Sequence, residues 1–199
     1  RSDDSPMGKL YEGMLAAAFW SHPYHYPTIG WAHEIKALHT EDTKKIYQSY
    51  YRPDNMVLSI VGDLDFEKVK PLIEKYFGRL PKPTGDIPVL DIEEIEQVGE
   101  REVEVKFDAE PSLIMAYHKP VYPNADDLYF SILHELLSGG RSSILYKELV
   151  LKKQLALGID TSEAPGELYP SVFYVAATPK QGLGNKELIK EIQGIFDRV

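Results

Sequence analysis

Between Leu80 and Gly99 the regular spacing of apolar residues breaks down, and no helix or strand pattern continues across the break. The stretch holds Pro81, Pro83, Gly85 and Pro88, then the acidic run Glu93-Glu94-Ile95-Glu96. Proline and glycine at this density interrupt helices and strands alike, so residues 81–99 are expected to be a linker. The expected organisation is therefore one unit over 1–80, the linker 81–99, and a second unit over 100–199. A chain of 199 residues can bury a core without cross-links, and with no cysteine it has none to form.

On the first side of the break, Pro6 to Trp20 reads as a helix through Leu10, Met14, Ala17 and Ala18. The run Ser21-His22-Pro23-Tyr24-His25-Tyr26-Pro27 ends it, because each proline pushes its predecessor out of the helical region. A short helix is expected over Trp31 to Leu38. A longer one follows, with Thr40 as N-cap and Ile46, Tyr47, Tyr50 and Tyr51 as its apolar stripe. Met56 to Val61 is almost wholly apolar, as in a strand buried on both faces. Asp65 then caps a helix through Phe66, Val69, Leu72, Ile73, Tyr76 and Phe77, with Pro71 a candidate kink and Gly78 the stop.

Beyond the break, Arg101 to Phe107 alternates as a half-buried strand and Leu113 to Tyr117 reads as another. A helix over Asp126 to Leu137 ends at Gly139-Gly140, and Ser142 or Ser143 is expected to cap the next, to about Lys153. Strands over Leu155–Thr161 and Ser171–Thr178 precede a terminal helix through Leu188, Ile192, Ile195 and Phe196. Runs of strands and runs of helices, rather than strict alternation, give an α+β class with a largely antiparallel sheet. The opening at Arg1, without an initiator Met, signal peptide or lipidation motif, reads as the interior of a longer sequence. So does the uncapped helical segment reaching Val199.

The net charge of −9 argues against binding a phosphate backbone, and no apolar stretch approaches the ~20 residues of a membrane span. Six histidines raise the question of metal, but neither H-E-x-x-H nor its reverse is present. His33-Glu34 has Ala37 where the second histidine belongs, and His134-Glu135 has Ser138. His22 and His25 stand in a proline-rich loop, and His118 is followed by Lys119. No complete metal site is expected, since zinc needs three or four converging ligands. No G-x-S-x-G turn is present for a serine nucleophile. Asp63/Asp65 and Glu93/Glu94/Glu96 read as caps and solvated charge rather than acid–base pairs. The tyrosines can line a peptide groove, but at helical spacing core packing is the stronger reading. Gly139-Gly140-Arg141-Ser142-Ser143 can hold an anion on backbone N–H groups, yet it reads first as a helix stop and a serine cap. The residues alone thus define an acidic α+β protein with no self-contained catalytic set.

Three stretches together are more specific. They are Ser21-His22-Pro23-Tyr24 with Pro27-Thr28-Ile29-Gly30, then Tyr50 to Asp63 (YYRPDNMVLSIVGD), then Leu136 to Leu149 (LLSGGRSSILYKEL). In this order they resemble the pitrilysin, insulinase or mitochondrial-processing-peptidase family of zinc metallopeptidases, along essentially the whole chain. The resemblance implies two related α+β units joined by a linker into a half-clamshell, two halves enclosing a peptide. Residues 1–80 would be the later part of a first, incomplete unit and 100–199 most of the second. The family's zinc ligands and general base lie in an H-x-x-E-H motif and a later glutamate, none of which maps onto this sequence. It therefore implies no catalytic or metal residue here, and zinc only in the full-length protein. There zinc would keep an open position for the water whose proton the motif glutamate takes.

The resemblance further implies that Gly139, Gly140, Arg141, Ser142 and Ser143 help form the wall of the substrate chamber. The family's peptide-binding Arg and Tyr fall at Val150 and Leu157, which cannot donate hydrogen bonds from their side chains. A homologous subunit or second half supplying that pair is then the expected partner, with an unfolded peptide as substrate. The expected function is a fragment of a zinc endopeptidase subunit, inactive alone. The alternative is a non-catalytic scaffold or substrate-holding subunit of a processing peptidase. Cytoplasm and bacterial periplasm or envelope both remain open.

Overall fold

The computed structural model describes residues 5–198; the readings made for Arg1–Asp4 and Val199 lie outside the described residues. The chain forms two compact units that do not follow sequence order. One comprises Arg1–Thr28 with Glu93–Val199, the other Ile29–Ile92. No helix among the described residues is long and apolar enough to cross a membrane.

The first unit is built on a three-stranded antiparallel sheet. Its strands are β1 (Leu113–Lys119), β2 (Ala156–Ala164) and β3 (Ser171–Pro179), in the order β1-β3-β2. β3 is Val-, Phe- and Tyr-rich, and as the central strand it pairs along its length with both neighbours. Its period-two alternation sends successive side chains to opposite faces, and both faces are covered. Phe173, Val175 and Ala177 of β3, with Leu113 of β1 and Ile159 of β2, enter one core. That core is closed by Leu137 of α5 (Asp127–Ser138), by Leu145 and Leu149, and by Leu188, Ile192 and Ile195 of α6 (Asn185–Phe196). Val172 of β3, backed by Tyr174, Ile114 and Ala116, faces the other way. There it meets Met14, Leu15, Ala18 and Phe19, on or just after α1 (Pro6–Ala18). Each fully buried aliphatic side chain contributes roughly 1.5–3 kcal/mol. This is the α+β, antiparallel architecture with packed helices that the sequence predicts.

Two elements of this unit differ from expectation. Residues 101–107 form no strand and join no ladder among the described residues. They lie along α1, where a Cβ on Gly13 would stand 3.2 Å from Val105 Cγ2. Only Arg101 and Val105 of the stretch are half-buried, while Val103 is 51% and Phe107 43% exposed, so the expected half-buried strand is not formed. After Gly139 the helix expected to reach Lys153 is wound as a π-helix over Tyr146–Lys152. Neither Ser142 nor Ser143 caps it, and the Ser143 hydroxyl, buried, has no partner among the described residues.

The second unit holds α2 (Ala32–Ala37), α3 (Thr40–Tyr50) and α4 (Phe66–Phe77). The Asp65 carboxylate caps α4 by accepting Glu67 N–H at 3.0 Å, and Pro71 lies inside it. Thr40 is the first residue of α3 rather than its cap; His39 takes that place, its N–H donating to Asp42 at 3.0 Å. Met56–Val61 forms no strand, and nothing pairs with it among the described residues. Far from buried on both faces, Val57 is 98% and Val61 94% exposed. Tyr47, Tyr50 and Tyr51 likewise fail to form a core: all three are exposed, and Tyr47 stacks on Tyr51 at 5.0 Å. Apolar periodicity reports what a segment can bury, and within this unit nothing covers these faces. Its one buried residue among those described is Arg52. The guanidinium donates twice to Asp54, at 2.6 and 2.7 Å, and once to Gly85 O at 2.8 Å.

Candidate functional site

The Gly139–Ser143 turn lies between α5 and the π-helix, each residue set by local backbone need. Gly139 ends α5 with its N–H on Glu135 O at 3.0 Å. A Cβ there would stand 2.5 Å from that same carbonyl, so only glycine fits without a shift. Gly140 has φ +100°, a conformation that side chains resist. Ser143 N–H returns to Gly140 O at 3.1 Å, closing the turn. Gly139, Gly140, Arg141 and Ser142 are exposed, and Ser143 is buried. The predicted helix stop is thus present and the predicted serine cap is not. The π-helix closes with Leu155 N–H on Leu149 O at 2.8 Å, and Gln154 takes φ +52°. Val150 packs half-buried against the core, while Leu157 on β2 points to solvent.

Beneath the turn, a polar cluster fastens α5 to β2. Thr161 Oγ1 lies 2.8 Å from His134 Nδ1 and 2.6 Å from Ser138 Oγ, and Thr161 N–H donates to Ser138 Oγ at 3.1 Å. The serine and threonine hydroxyls are committed to one another, which makes the group a tie rather than a nucleophile. A second tie centres on Lys119, 3% exposed at the end of β1. Its ammonium lies 2.5 Å from Asp127 at the start of α5 and also pairs with Glu163 of β2.

Among the described residues no three His, Asp or Glu side chains converge as a metal ion requires. His22 Nδ1 accepts Tyr24 N–H at 3.2 Å, and His25 Nδ1 stands 2.8 Å from His22 O, to which it must donate. These residues do not fit a zinc site. A cavity of about 100 Å³ between α1, residues 97–105 and β1 includes Arg101 and His118 in its lining. It has room for several waters, not for a peptide.

Sequence reasoning missed the residues that grip the end of α1. Glu94, read as solvated charge, accepts the N–H groups of Trp20, Ser21 and His22 at 2.8, 3.0 and 2.9 Å. Successive backbone amides form a concave anion-binding nest, here filled by a carboxylate of the same chain. The Ser21 hydroxyl donates to Glu93 O at 2.7 Å and accepts Ile95 N–H at 3.2 Å. Burial pushes the Glu94 carboxyl up, but its hydrogen bonds from His22, Trp20 and Ser21 outweigh this and hold it below the usual carboxylate range. Burial also pushes the His22 imidazolium down, against the charge of Glu94 and helped by His25. Arg101 donates to Ala17 O and Ala18 O at 2.8 and 3.2 Å and lies 3.8 Å from the centre of the Trp20 ring. A pairing across more than seventy residues leaves no local pattern; only the end of a helix, with its unpaired carbonyls, hints that partners are needed.

With this geometry in place, similarity to known proteins defines the class. Residues 37–199 match the family model described as the peptidase M16 inactive domain. The chain is 35% identical over 159 residues to the zinc protease PqqE of Helicobacter pylori, covering 78% of this chain and 36% of that protein. It is 28% identical over 160 residues to the uncharacterized zinc protease YmfH of Bacillus subtilis, covering 75% and 37%. A crystal structure of a protease from Helicobacter pylori superposes with a TM-score of 0.90 at 32% identity, over 100% of this chain and 48% of that one. The chain belongs to the M16 family of peptidases, as its three motif stretches indicate. It spans between about a third and a half of the length of these relatives.

Proposed function

We propose that this chain is a non-catalytic part of a zinc-dependent endopeptidase subunit that cleaves unfolded peptides in a closed chamber. The zinc ligands and the water-activating glutamate would be carried by other segments of the full-length protein. The observation that carries this reading is the match of most of the chain to the inactive-type domain, on a fold shared with a solved protease. The absence of any converging ligand set among the described residues is consistent with it. The unpaired, exposed Met56–Val61 supports the view that the compact unit Ile29–Ile92, which holds most of the expected first unit, is completed elsewhere in the polypeptide. The exposed Gly139–Ser142 turn, with Arg141 at its tip, would form part of the chamber wall.

A second reading, a scaffold or substrate-holding subunit, is favoured by Val150 and Leu157. One packs half-buried against the core, and neither can hydrogen-bond a peptide or a developing oxyanion. In either reading a homologous subunit would supply the Arg and Tyr.

Metal content and peptidase activity of the full-length protein, alone and with its co-purifying partner, test both. Bound zinc with cleavage of unfolded peptides supports the endopeptidase reading. A full-length protein without zinc supports the scaffold. Stoichiometric zinc and zinc-dependent cleavage by this 199-residue segment alone would overturn the assignment of the catalytic groups to other segments.

A further inference from the structure

The chain leaves the sheet-bearing unit once, between Thr28 and Ile29, and returns once, between Ile92 and Glu93. A few residues before the exit lies Trp20-Ser21-His22; immediately after the return lies Glu93-Glu94-Ile95. These two triplets are hydrogen-bonded to each other. The Glu94 carboxylate takes the three outgoing amides, and the Ser21 hydroxyl bridges Glu93 O and Ile95 N–H. Seven residues on, the Arg101 guanidinium holds the carbonyls of Ala17 and Ala18, the last turn of α1. The Arg101 cation at the last carbonyls has the sign that a helix C-terminus favours, while the Glu94 anion is held by the three amides just past it. Both charges come from the returning segment.

We infer that Ser21 and Glu94 form a staple at the base of the two chain crossings. The staple holds the outgoing and returning segments as a pair and keeps α1 wound to its end. The bonds are charge-assisted and only partly shielded, so they are strong enough to hold and accessible enough to open. A segment with neither ladder nor core of its own depends on such side-chain anchors.

Hydrogen exchange of the full-length protein tests this, comparing wild type with Glu94→Ala, Glu94→Gln and, as a control two positions on, Glu96→Ala. In Glu94→Ala the amides of Trp20, Ser21, His22 and Ile95 should exchange ten-fold or more faster. Cleavage by a low dose of protease between residues 23 and 30 should accelerate in parallel. Amides of β2 and β3 should keep their protection, and Glu96→Ala should match wild type throughout. Glu94→Gln, which keeps one acceptor oxygen, should fall between. Unchanged protection of those four amides in Glu94→Ala would overturn the staple. Loss of protection across the sheet as well would overturn it too, by making Glu94 a determinant of the whole unit.

Discussion

Lys119 shows how a single charge can organise two elements. Its ammonium is nearly inaccessible, while Asp127 and Glu163 are each about a third exposed. Removing the cation leaves two carboxylates together with no partner; removing one carboxylate leaves the cation paired. Lys119→Ala should therefore destabilise the protein by about 3 kcal/mol, the lower end of the range for a broken buried pair, since both carboxylates are about a third exposed. Asp127→Asn should cost about 1 kcal/mol or less. Denaturant midpoints at unchanged slope would check the order, and equal losses would refute it. His22 and Glu94 give a pH prediction. His22 titrates lower when folded, so its contribution is complete above its unfolded value near 6.5 and declines as pH falls below it. Glu94 also titrates lower when folded, so its contribution is present above the unfolded carboxylate value and is lost as pH falls through the folded one. Stability should then fall in two stages, the upper one absent from His22→Gln and the lower one blunted in Glu94→Gln.

At the scale of elements, the turn after α5 joins a glycine that leaves no room for a Cβ to one at positive φ. Gly140→Ala should cost about 1–2 kcal/mol through its positive φ. Gly139→Ala should cost more, because its Cβ collides with the Glu135 carbonyl and the end of α5 must yield. Thermal unfolding of both variants would rank them. Arg141→Ala, on the exposed part of the same turn, should leave stability unchanged; if the turn lines a peptide chamber as proposed, it should also weaken peptide affinity of the full-length protein modestly. Elements with partners inside the chain were legible in the sequence. α5, α6, β2 and β3 lie within a few residues of where periodicity puts them, because their apolar faces meet one another. Met56–Val61 and the Tyr47/Tyr51 stripe were legible as apolar and misleading as buried, since a strand exists only where a second backbone accepts its hydrogen bonds. The π-winding of Tyr146–Lys152 has no signature in residue spacing. The Gly139–Ser143 turn could be located by its glycines, but the tie of Thr161 to Ser138 and His134 beneath it required the fold.

At the scale of the molecule, the unit Ile29–Ile92 presents side chains suited to an interior on its own surface. If another segment of the polypeptide completes it, Val57→Ser should change the stability of this 199-residue chain by no more than about 0.5 kcal/mol. The same change should destabilise the full-length protein by about 1–3 kcal/mol, the cost of putting a hydroxyl into a closed interior. Equal effects in both would argue that nothing covers the strand. The sheet carries a different consequence. β3 meets β2 across a short loop, but to meet β1 it must wait for everything from Lys119 to Ser171, α5 and the π-helix included. Contacts that close small loops form early, and those that close large ones come late. The β2–β3 hairpin should be the folding nucleus, with β1 docking onto a preformed edge. Changes at Val175 would slow refolding, whereas changes at Met115 would chiefly hasten unfolding. On a ribosome, which releases the chain from its N-terminal side onward, β1 emerges well before β3, the strand it pairs with among the described residues. Until β3 follows, its edge stays open to any other extended chain nearby.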